Sequence, residues 1–384
     1  MEKREQPKIF NPAAAASWRA FGRLRSGLRK PGIVDTYAGQ LAELALVEQP
    51  GLIRLPKEKI AEAVGAFIAG RTRRGPLIRQ GRWVHYPWLN TLVHVLAEPE
   101  FNRVRTSRNA NLITFAEQKK FYDTVVGVAG LSVGSNVALS VVLAGGARRI
   151  RLADFDELEL SNTNRLIAGV HQLGLPKTTV IARRIWEINP YAHVGIFDRG
   201  LNATNVASFM RGLDVVVDEM DDFVIKQRLR ELARKQRIPL LSAADNGDRS
   251  TIDVERHDLG RTPYFLGRLG TTDVARFSAL RGNKQETIRT IARLIGAEHH
   301  PVRMIRSLPA IGETLVSVPQ LGGTALIGAS AVTYLIRGIV AGDAMPSGRY
   351  HLCLDENLDP GYSSDIAVRE RKRLADMLKT KLGI

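Results

Sequence analysis

From residue 124 onward the chain alternates apolar runs of strand length with segments of helix length, which restricts the folds open to it. The strand-like runs are "TVVGVAG" (124–130), "RIRLAD" (149–154), "HVGIFD" (193–198), "DVVVD" (214–218) and "PLLSAA" (239–244). Helical stretches lie between them near 134–145, 177–188, 204–212 and 223–237. Strands this apolar need cover on both faces, so the pattern predicts an α/β fold: a Rossmann-like, doubly wound, mostly parallel sheet with helices on either side. After about residue 250 the rhythm weakens. "STIDVERHDL" reads as a strand, "DVARFSALRGNKQETIRTIARLIG" and "GTALIGASAVTYLIRGIVAG" as helices, "RYHLCLD" as a late strand, and "AVRERKRLADMLKTKL" as a charged helical tail.

The sequence divides into a basic N-terminal arm (1–30), a mainly helical N-terminal domain (31–104) and a nucleotide-binding domain (105–384) whose C-terminal extension starts near 250. In the second segment "TYAGQLAELALV" and "KEKIAEAVGAFIAG" have helical spacing, and "HYPWLNTLVHVLAEPEF" predicts a helix opening after Pro87. Two uncharged stretches, Val125 to Ala147 and Thr314 to Ile336, are long enough to cross a bilayer. The first is punctuated by glycines and the second is broken by Pro319 and Gly322-Gly323, so neither predicts a membrane span. The start "MEKREQPKIF" has no apolar signal core.

The 55 Lys and Arg against 39 Asp and Glu leave a net charge of +16, which favours an acidic partner: nucleotide, RNA, an acidic protein or a membrane surface. The single cysteine, Cys353, excludes an internal disulfide and a CxxC zinc pair, and fits a reducing, cytoplasmic compartment. It falls in a predicted strand and reads as a small core residue. The eight histidines, the His299-His300 pair included, show no ligand spacing.

In a doubly wound sheet the ligand sits beyond the carboxyl ends of the strands, so the residues just after each strand carry the chemistry. After the first come Gly130, Leu131, Ser132, Val133, Gly134 and Ser135, leading into a helix whose N-terminal amides and dipole can receive a phosphate. Taken alone, this loop reads equally well as a structural glycine turn. After the second, Asp154 stands where a carboxylate can accept ribose hydroxyls, as in a dehydrogenase. Asn162, Arg165 and Lys177 follow, and that set suits a triphosphate, whose charge must be neutralised before its α-phosphorus is attacked. After the fourth come Asp218, Asp221 and Asp222, carboxylates of the kind that hold Mg²⁺ together with phosphate oxygens.

These residues resemble the ThiF/MoeB-type superfamily of ubiquitin-activating-like adenylyltransferases. Its glycine loop, D-x-D, S-N-x-x-R, G-x-x-K, I-N-P and D-x-x-x-D-x-x-D are matched in order. The matching residues are Gly130–Ser135, Asp154 with Asp156, Ser161 to Arg165, Gly174 to Lys177, Ile188 to Pro190, and Asp214 with Asp218 and Asp221. The match covers about residues 105 to 250 and is most similar to bacterial ThiF-like proteins with a G-L-S-V-G loop. The resemblance implies ATP- and Mg²⁺-dependent adenylation of a carboxylate. The backbone of Ser132 to Ser135 would face the nucleotide, Asp154 (with Asp156) would hold the ribose, Asn162, Arg165 and Lys177 would grip the phosphates, and Asp221 would bind Mg²⁺. It also implies a homodimer with an arginine reaching across, Arg108 or secondly Arg105, and places the 314–340 segment in the dimer contact. The chain departs from the family in lacking the two CxxC zinc pairs and a thioester cysteine, so neither zinc nor a thioester step is expected. Ser132 and Val133 also stand where glycines are usual.

The carboxylate would be the C-terminus of a ubiquitin-like or peptide partner, or a small acid. A Rossmann oxidoreductase using NAD(P) or flavin is the competing class. The cluster of Arg165, Lys177 and Asp221 argues against it, since a dinucleotide needs no Mg²⁺-binding carboxylate there. An RNA-binding or tRNA-modifying member of the same superfamily would reconcile the site with the basic charge.

Overall fold

The computed structural model describes residues 6–270, 272, 273, 275, 279 and 284–382, in two compact units. The first comprises Met1–Gln118 with Trp186–Tyr191. Its strands β1 (Lys8–Phe10), β2 (Gly32–Asp35), β3 (Arg82–Tyr86) and β4 (Thr91–Val95) form one sheet in the order β1-β3-β4-β2. Helices α1 (Ala15–Gly27), α2 (Tyr37–Glu48), α3 (Lys57–Thr72) and α4 (Glu98–Arg105) complete it. The helix expected after Pro87 is instead the β3–β4 hairpin. "RWVHY" and "TLVHV" are short runs rich in β-branched and aromatic residues that pair antiparallel, and Pro87 to Asn90 make the turn, with Asn90 left-handed at φ +47. The supposed N-terminal arm is also built in, because Phe10 and Phe21 share a buried cluster with Trp83 and Leu92. Tyr37, His94 and Trp83 stack with ring centroids 4.2 and 4.4 Å apart.

The second unit comprises Lys119–Ile185 and Ala192–Ile384 and contains the expected α/β sheet. Five strands, β5 (Val125–Ala129), β6 (Arg149–Ala153), β7 (His193–Phe197), β8 (Val215–Asp218) and β9 (Leu240–Asn246), pair in parallel in the order 9-8-5-6-7. β10 (Arg249–Glu255) folds back antiparallel on β9, and β11 (Gly348–Cys353) adds antiparallel to β10. β5 and β8 are buried along their whole length, as strands covered on both faces must be. Helix α5 (Phe115–Asp123) precedes β5, and the chain passes from β5 to β6 through α6 (Val133–Leu143), from β6 to β7 through α7 (Lys177–Ile188), from β7 to β8 through α8 (Val206–Met210), and from β8 to β9 through α9 (Phe223–Gln236).

The helix expected over "GTALIGASAVTYLIRGIVAG" (323–342) is present as Gly322–Ala341 and packs on α6, β9 and β10. It is long and apolar enough to cross a membrane, but Ala325, Ala329, Val332 and Ile336 are buried within the unit. The sheet approaches it closely: a side chain at Gly328 would meet Ser250 Oγ at 2.6 Å. Most of the 271–283 stretch of the predicted "DVARFSALRGNKQETIRTIARLIG" helix lies outside the described residues, and a helix covers Lys284–Ile295.

Candidate functional site

At the carboxyl end of β5 the backbone turns through Gly130 at φ +87, where a Cβ would also collide with the Glu219 backbone. Glycine is therefore required there for conformation and for space. A Cβ at Gly134 would lie 2.9 Å from Val128 Cγ1, so this glycine lets α6 pack against β5. The two residues that replace family glycines fall where none is needed. Ser132 has φ −74, and its hydroxyl accepts a hydrogen bond from Arg165 Nε at 3.0 Å. Val133 and Ser135 are buried, and Ser135 Oγ donates to the Ser132 carbonyl at 2.8 Å. No side chain caps the start of α6, so its first amides and the positive end of its dipole remain available to an anion.

Asp154, one residue past β6, ties this loop to the next. Its Oδ2 accepts from the Leu131 amide at 2.6 Å and its Oδ1 from the Asp156 amide at 2.8 Å. Burial pushes its carboxyl above the ordinary range, and those amides and Lys177 oppose the shift. Lys177 is buried, with Nζ 2.8 Å from Asp156 Oδ2. Asn162 is buried too, and its Oδ1 closes a turn by accepting from the Glu159 amide at 3.1 Å. Asn136 of α6 donates to the Arg165 carbonyl at 2.8 Å. The Arg165 guanidinium is further fixed by Asn164 Oδ1 at 2.9 Å and the Ser161 carbonyl at 3.3 Å. Arg165, Ser132 and Asn136 thus form one bonded set at the carboxyl edge of the sheet.

The three aspartates after β8 have separate fates. Asp218 is fully buried and paired with Arg230 at 2.6 Å and Lys226 at 3.2 Å, and those cations hold its carboxyl below the ordinary range despite burial. Asp222 caps α9, accepting from the Val224 and Ile225 amides. Of the carboxylates grouped there in the sequence, Asp218 and Asp222 are therefore committed to the scaffold. Asp221 alone is exposed, with no hydrogen bond or ion pair among the described residues, and it acts electrostatically on Arg165. A lone free carboxylate fits Mg²⁺, which takes one or two carboxylates and completes its octahedron with phosphate oxygens and water. Among the described residues no three His, Cys, Asp or Glu cluster as a metal site.

Sequence reasoning missed Asp245. It stands near the end of β9, beyond the residues that pair with β8, and its carboxylate oxygens are buried without a hydrogen-bond donor. Burial raises it to about 7, with Arg165 pulling the other way. The available signal was its position: a carboxylate closing a strand adjacent to β8. Cys353 is buried at the end of β11 and burial pushes its thiol up, in keeping with a core role. Arg108 lies in the first unit, exposed, in the single turn Ser107–Asn109, and Arg105 closes the preceding helix α4.

A glycine loop feeding a helix N-terminus, a carboxylate one residue past the next strand, an arginine bonded to the loop and a lysine bonded to Asp156 define a Rossmann-like protein of the nucleotide-binding class. Residues 106–295 match the ThiF family. The chain is 38% identical to an uncharacterized protein of Mycobacterium tuberculosis over 72% of this chain and 38% of that one. It is 30% identical to the tRNA threonylcarbamoyladenosine dehydratase of Escherichia coli over 42% of this chain and 61% of that enzyme. It is 27% identical to the molybdopterin-synthase adenylyltransferase of Haemophilus influenzae over 31% of this chain and 49% of that enzyme. The chain thus spans less than two thirds of the length of each of these relatives. The crystal structure of the E. coli dehydratase superimposes with a TM-score of 0.44 at 24% identity, covering 62% of this chain and 95% of that one.

Proposed function

We propose that this chain is an ATP- and Mg²⁺-dependent adenylyltransferase that activates a carboxylate and releases pyrophosphate. The observation that carries this reading is the bond from Arg165 to Ser132, which fixes a guanidinium on the loop that opens α6, with Lys177 held on the neighbouring turn. The substrate carboxylate attacks the α-phosphorus in line, a new O–P bond forms, and the α–β anhydride bond breaks. Such a displacement needs alignment and charge neutralisation more than a protein nucleophile. The α6 amides and Arg165 meet the phosphate charge, Lys177 adds a second cation beside Asp156, Asn162 shapes the turn that carries Arg165, and Asp154 presents its remaining lone pairs to the ribose. Mg²⁺, held by Asp221, would supply charge neutralisation on the phosphates. In a homodimer, exposed Arg108 would complete the site from the partner subunit, and the outer face of helix Gly322–Ala341, with Leu326 and Tyr334 exposed, would join the contact.

Names among the relatives support two sources for the carboxylate. The adenylyltransferases point to the C-terminus of a small carrier protein or peptide, and the tRNA threonylcarbamoyladenosine dehydratase points to a carboxylate on tRNA. The +16 net charge favours the latter. Steep loss of tRNA binding with added salt would support it.

Mg²⁺-dependent exchange of labelled pyrophosphate into ATP, screened over peptide C-termini, small acids and tRNA, tests the reaction. Asp221→Ala and Arg165→Ala are each expected to cut exchange by about 10²–10³. The proposal falls if the full chain binds no ATP.

A further inference from the structure

The amino ends of the strands, away from the nucleotide loop, gather a second concentration of positive charge. β7 is the edge strand of the sheet, with β6 and then β5 beside it. Parallel register sets Val125, Arg149 and His193 in one row across the amino ends, and Gly127, Arg151 and Gly195 in the next row but one. Residues two apart on a strand share a face, so all six belong to one side of the sheet. Further along, that side is covered by α8 and the turn after it, because a Cβ at Gly127 would run into Phe209 and Leu213. Beyond the end of α8, Arg211 borders a cavity of about 400 Å³ lined also by Val125, Arg149, Arg151, His193 and Gly195. That volume falls within the roughly 300–1,000 Å³ of small-molecule sites. Gly195 keeps the floor open, since a Cβ there would lie 3.2 Å from Arg151 Cγ.

Three arginines and a histidine line this cavity, and among the described residues no carboxylate does. None of the four makes an ion pair among the described residues. Arg151 is half-buried and bonded to the Ser208 and Phe209 carbonyls of α8, and Arg149 donates to the Asp123 carbonyl at 3.2 Å. The acids close by in the chain are engaged elsewhere. The Asp123 carboxylate pairs with Lys119 at 2.6 Å, and Asp214 accepts from the Val125 amide at 2.7 Å. Burial pushes Arg151 below its ordinary range, and repulsion from Arg211 and Arg149 adds to the shift. A guanidinium drawn partly out of water beside two like charges is uncompensated until an anion enters. A carboxylate brings two oxygens in one plane and a single charge. A terminal phosphate brings three oxygens and nearly two charges, which suits donors converging from two strands and a turn. We propose that this cavity is a phosphate-binding site separate from the nucleotide loop. The loop lies at the far end of β5, about 13 Å along the strand, so the two sites are independent and failure of the nucleotide reading leaves this one standing. The phosphate belongs to a small polyphosphate in solution or to the backbone of an RNA, and both present the same oxygens to the cavity.

The test compares the full chain with variants of the cavity. Gly195→Val keeps every charge but fills the cavity from its floor, and an edge strand accepts a β-branched residue. Arg151→Gln with Arg211→Gln removes two cations. Lys372→Gln with Arg373→Gln, exposed on the helix Asp365–Leu382, is the control of equal charge. The probes are pyrophosphate without Mg²⁺, by isothermal titration, and bulk tRNA, by filter binding between about 50 and 200 mM salt. A polyglutamate peptide is the third. If the source is a small polyphosphate, both cavity variants should bind pyrophosphate about ten- to a hundredfold more weakly than wild type, with tRNA binding unchanged. If it is RNA, both should bind tRNA about three- to tenfold more weakly, with a log–log salt slope shallower by about one. Either result supports the site, provided the control behaves as wild type. Wild-type affinity of both cavity variants for pyrophosphate and tRNA overturns the inference. So does a loss confined to the arginine variant or shared by the control, because charge without the cavity then suffices. An equal loss for polyglutamate overturns it too, since the cavity then takes acidic chains in general. Cooperative thermal melting checks the fold of each variant, and Gly195→Ala, which adds the Cβ alone, replaces the valine variant if that one melts without cooperativity.

Discussion

Asp218 and Asp245 sit at the ends of neighbouring parallel strands, and both carry buried carboxylate oxygens, yet their surroundings are opposite. Asp218 is met by Arg230 and Lys226, and Arg230 is met in turn by Glu255 at 2.8 Å and by the face of Phe265, 3.9 Å from the ring centre. Among the described residues Asp245 is met by no hydrogen-bond donor. One carboxyl is driven down and the other up. A buried charge whose partners are folded in with it is part of the scaffold, whereas one that lacks a partner is out of balance until something arrives. Residue type and strand position alone do not separate the two cases.

Breaking the scaffold side of this contrast should give the largest effect. Arg230→Met keeps the side-chain volume but takes the guanidinium from two buried carboxylates, leaving Asp218 with Lys226 alone and Glu255 without its arginine. Its unfolding free energy should fall by about 3–5 kcal/mol in chemical denaturation. Asp218→Asn combined with Arg230→Met should recover part of that loss, because one of the stranded charges is gone. No recovery would show that the Phe265 and Glu255 contacts, not the Asp218 pair, dominate the cost.

The same operation at Asp245 should have the opposite sign. Its folded-state carboxyl lies near 7 against an ordinary 3.8. Below about pH 4 both folded and unfolded chains are protonated, and the residue contributes nothing. Between about 4 and 7 the unfolded chain ionises while the folded chain resists, so stability falls as pH rises, and above 7 the penalty is constant. Asp245→Asn should therefore raise the melting temperature at pH 8, raise it less at pH 6, and leave it unchanged at pH 4. A variant less stable than wild type at pH 8 would mean that Asp245 has a stabilising partner after all.

The sheet and most residues of the candidate site were legible in the sequence because period and punctuation are local signals. β5 to β9 and the helices between them fall within a few residues of the expected positions. The β3–β4 hairpin was misread because Pro87 suggested a helix start, while the short β-branched and aromatic runs on both sides of the Pro87–Asn90 turn were the stronger signal. Asp154, Arg165 and Lys177 could be found because each follows a strand or lies in a loop with its own spacing. The roles of Asp218, Asp222 and Asp245 could not be read, since they depend on Arg230, on the cap of α9 and on the absence of any donor. Those are properties of packed neighbours far apart in the chain.

Ser132 gives the finest test of the contrast, because it belongs to neither extreme. It stands where the family usually carries glycine, yet its φ is negative and its hydroxyl meets Arg165 at 3.0 Å. The serine therefore helps to aim the guanidinium assigned to the phosphates. Ser132→Ala removes a single bond at a partly exposed guanidinium, so the stability loss should stay near 0.5–1.5 kcal/mol. Ser132→Gly should cost slightly more, because it also frees the unfolded backbone. The informative readout is ATP affinity. If the Ser132 hydroxyl is what aims Arg165, the Ala variant should bind ATP about three- to tenfold more weakly. Unchanged affinity would mean that Asn164 and the Ser161 carbonyl hold Arg165 without the serine, and that Ser132 serves the loop alone.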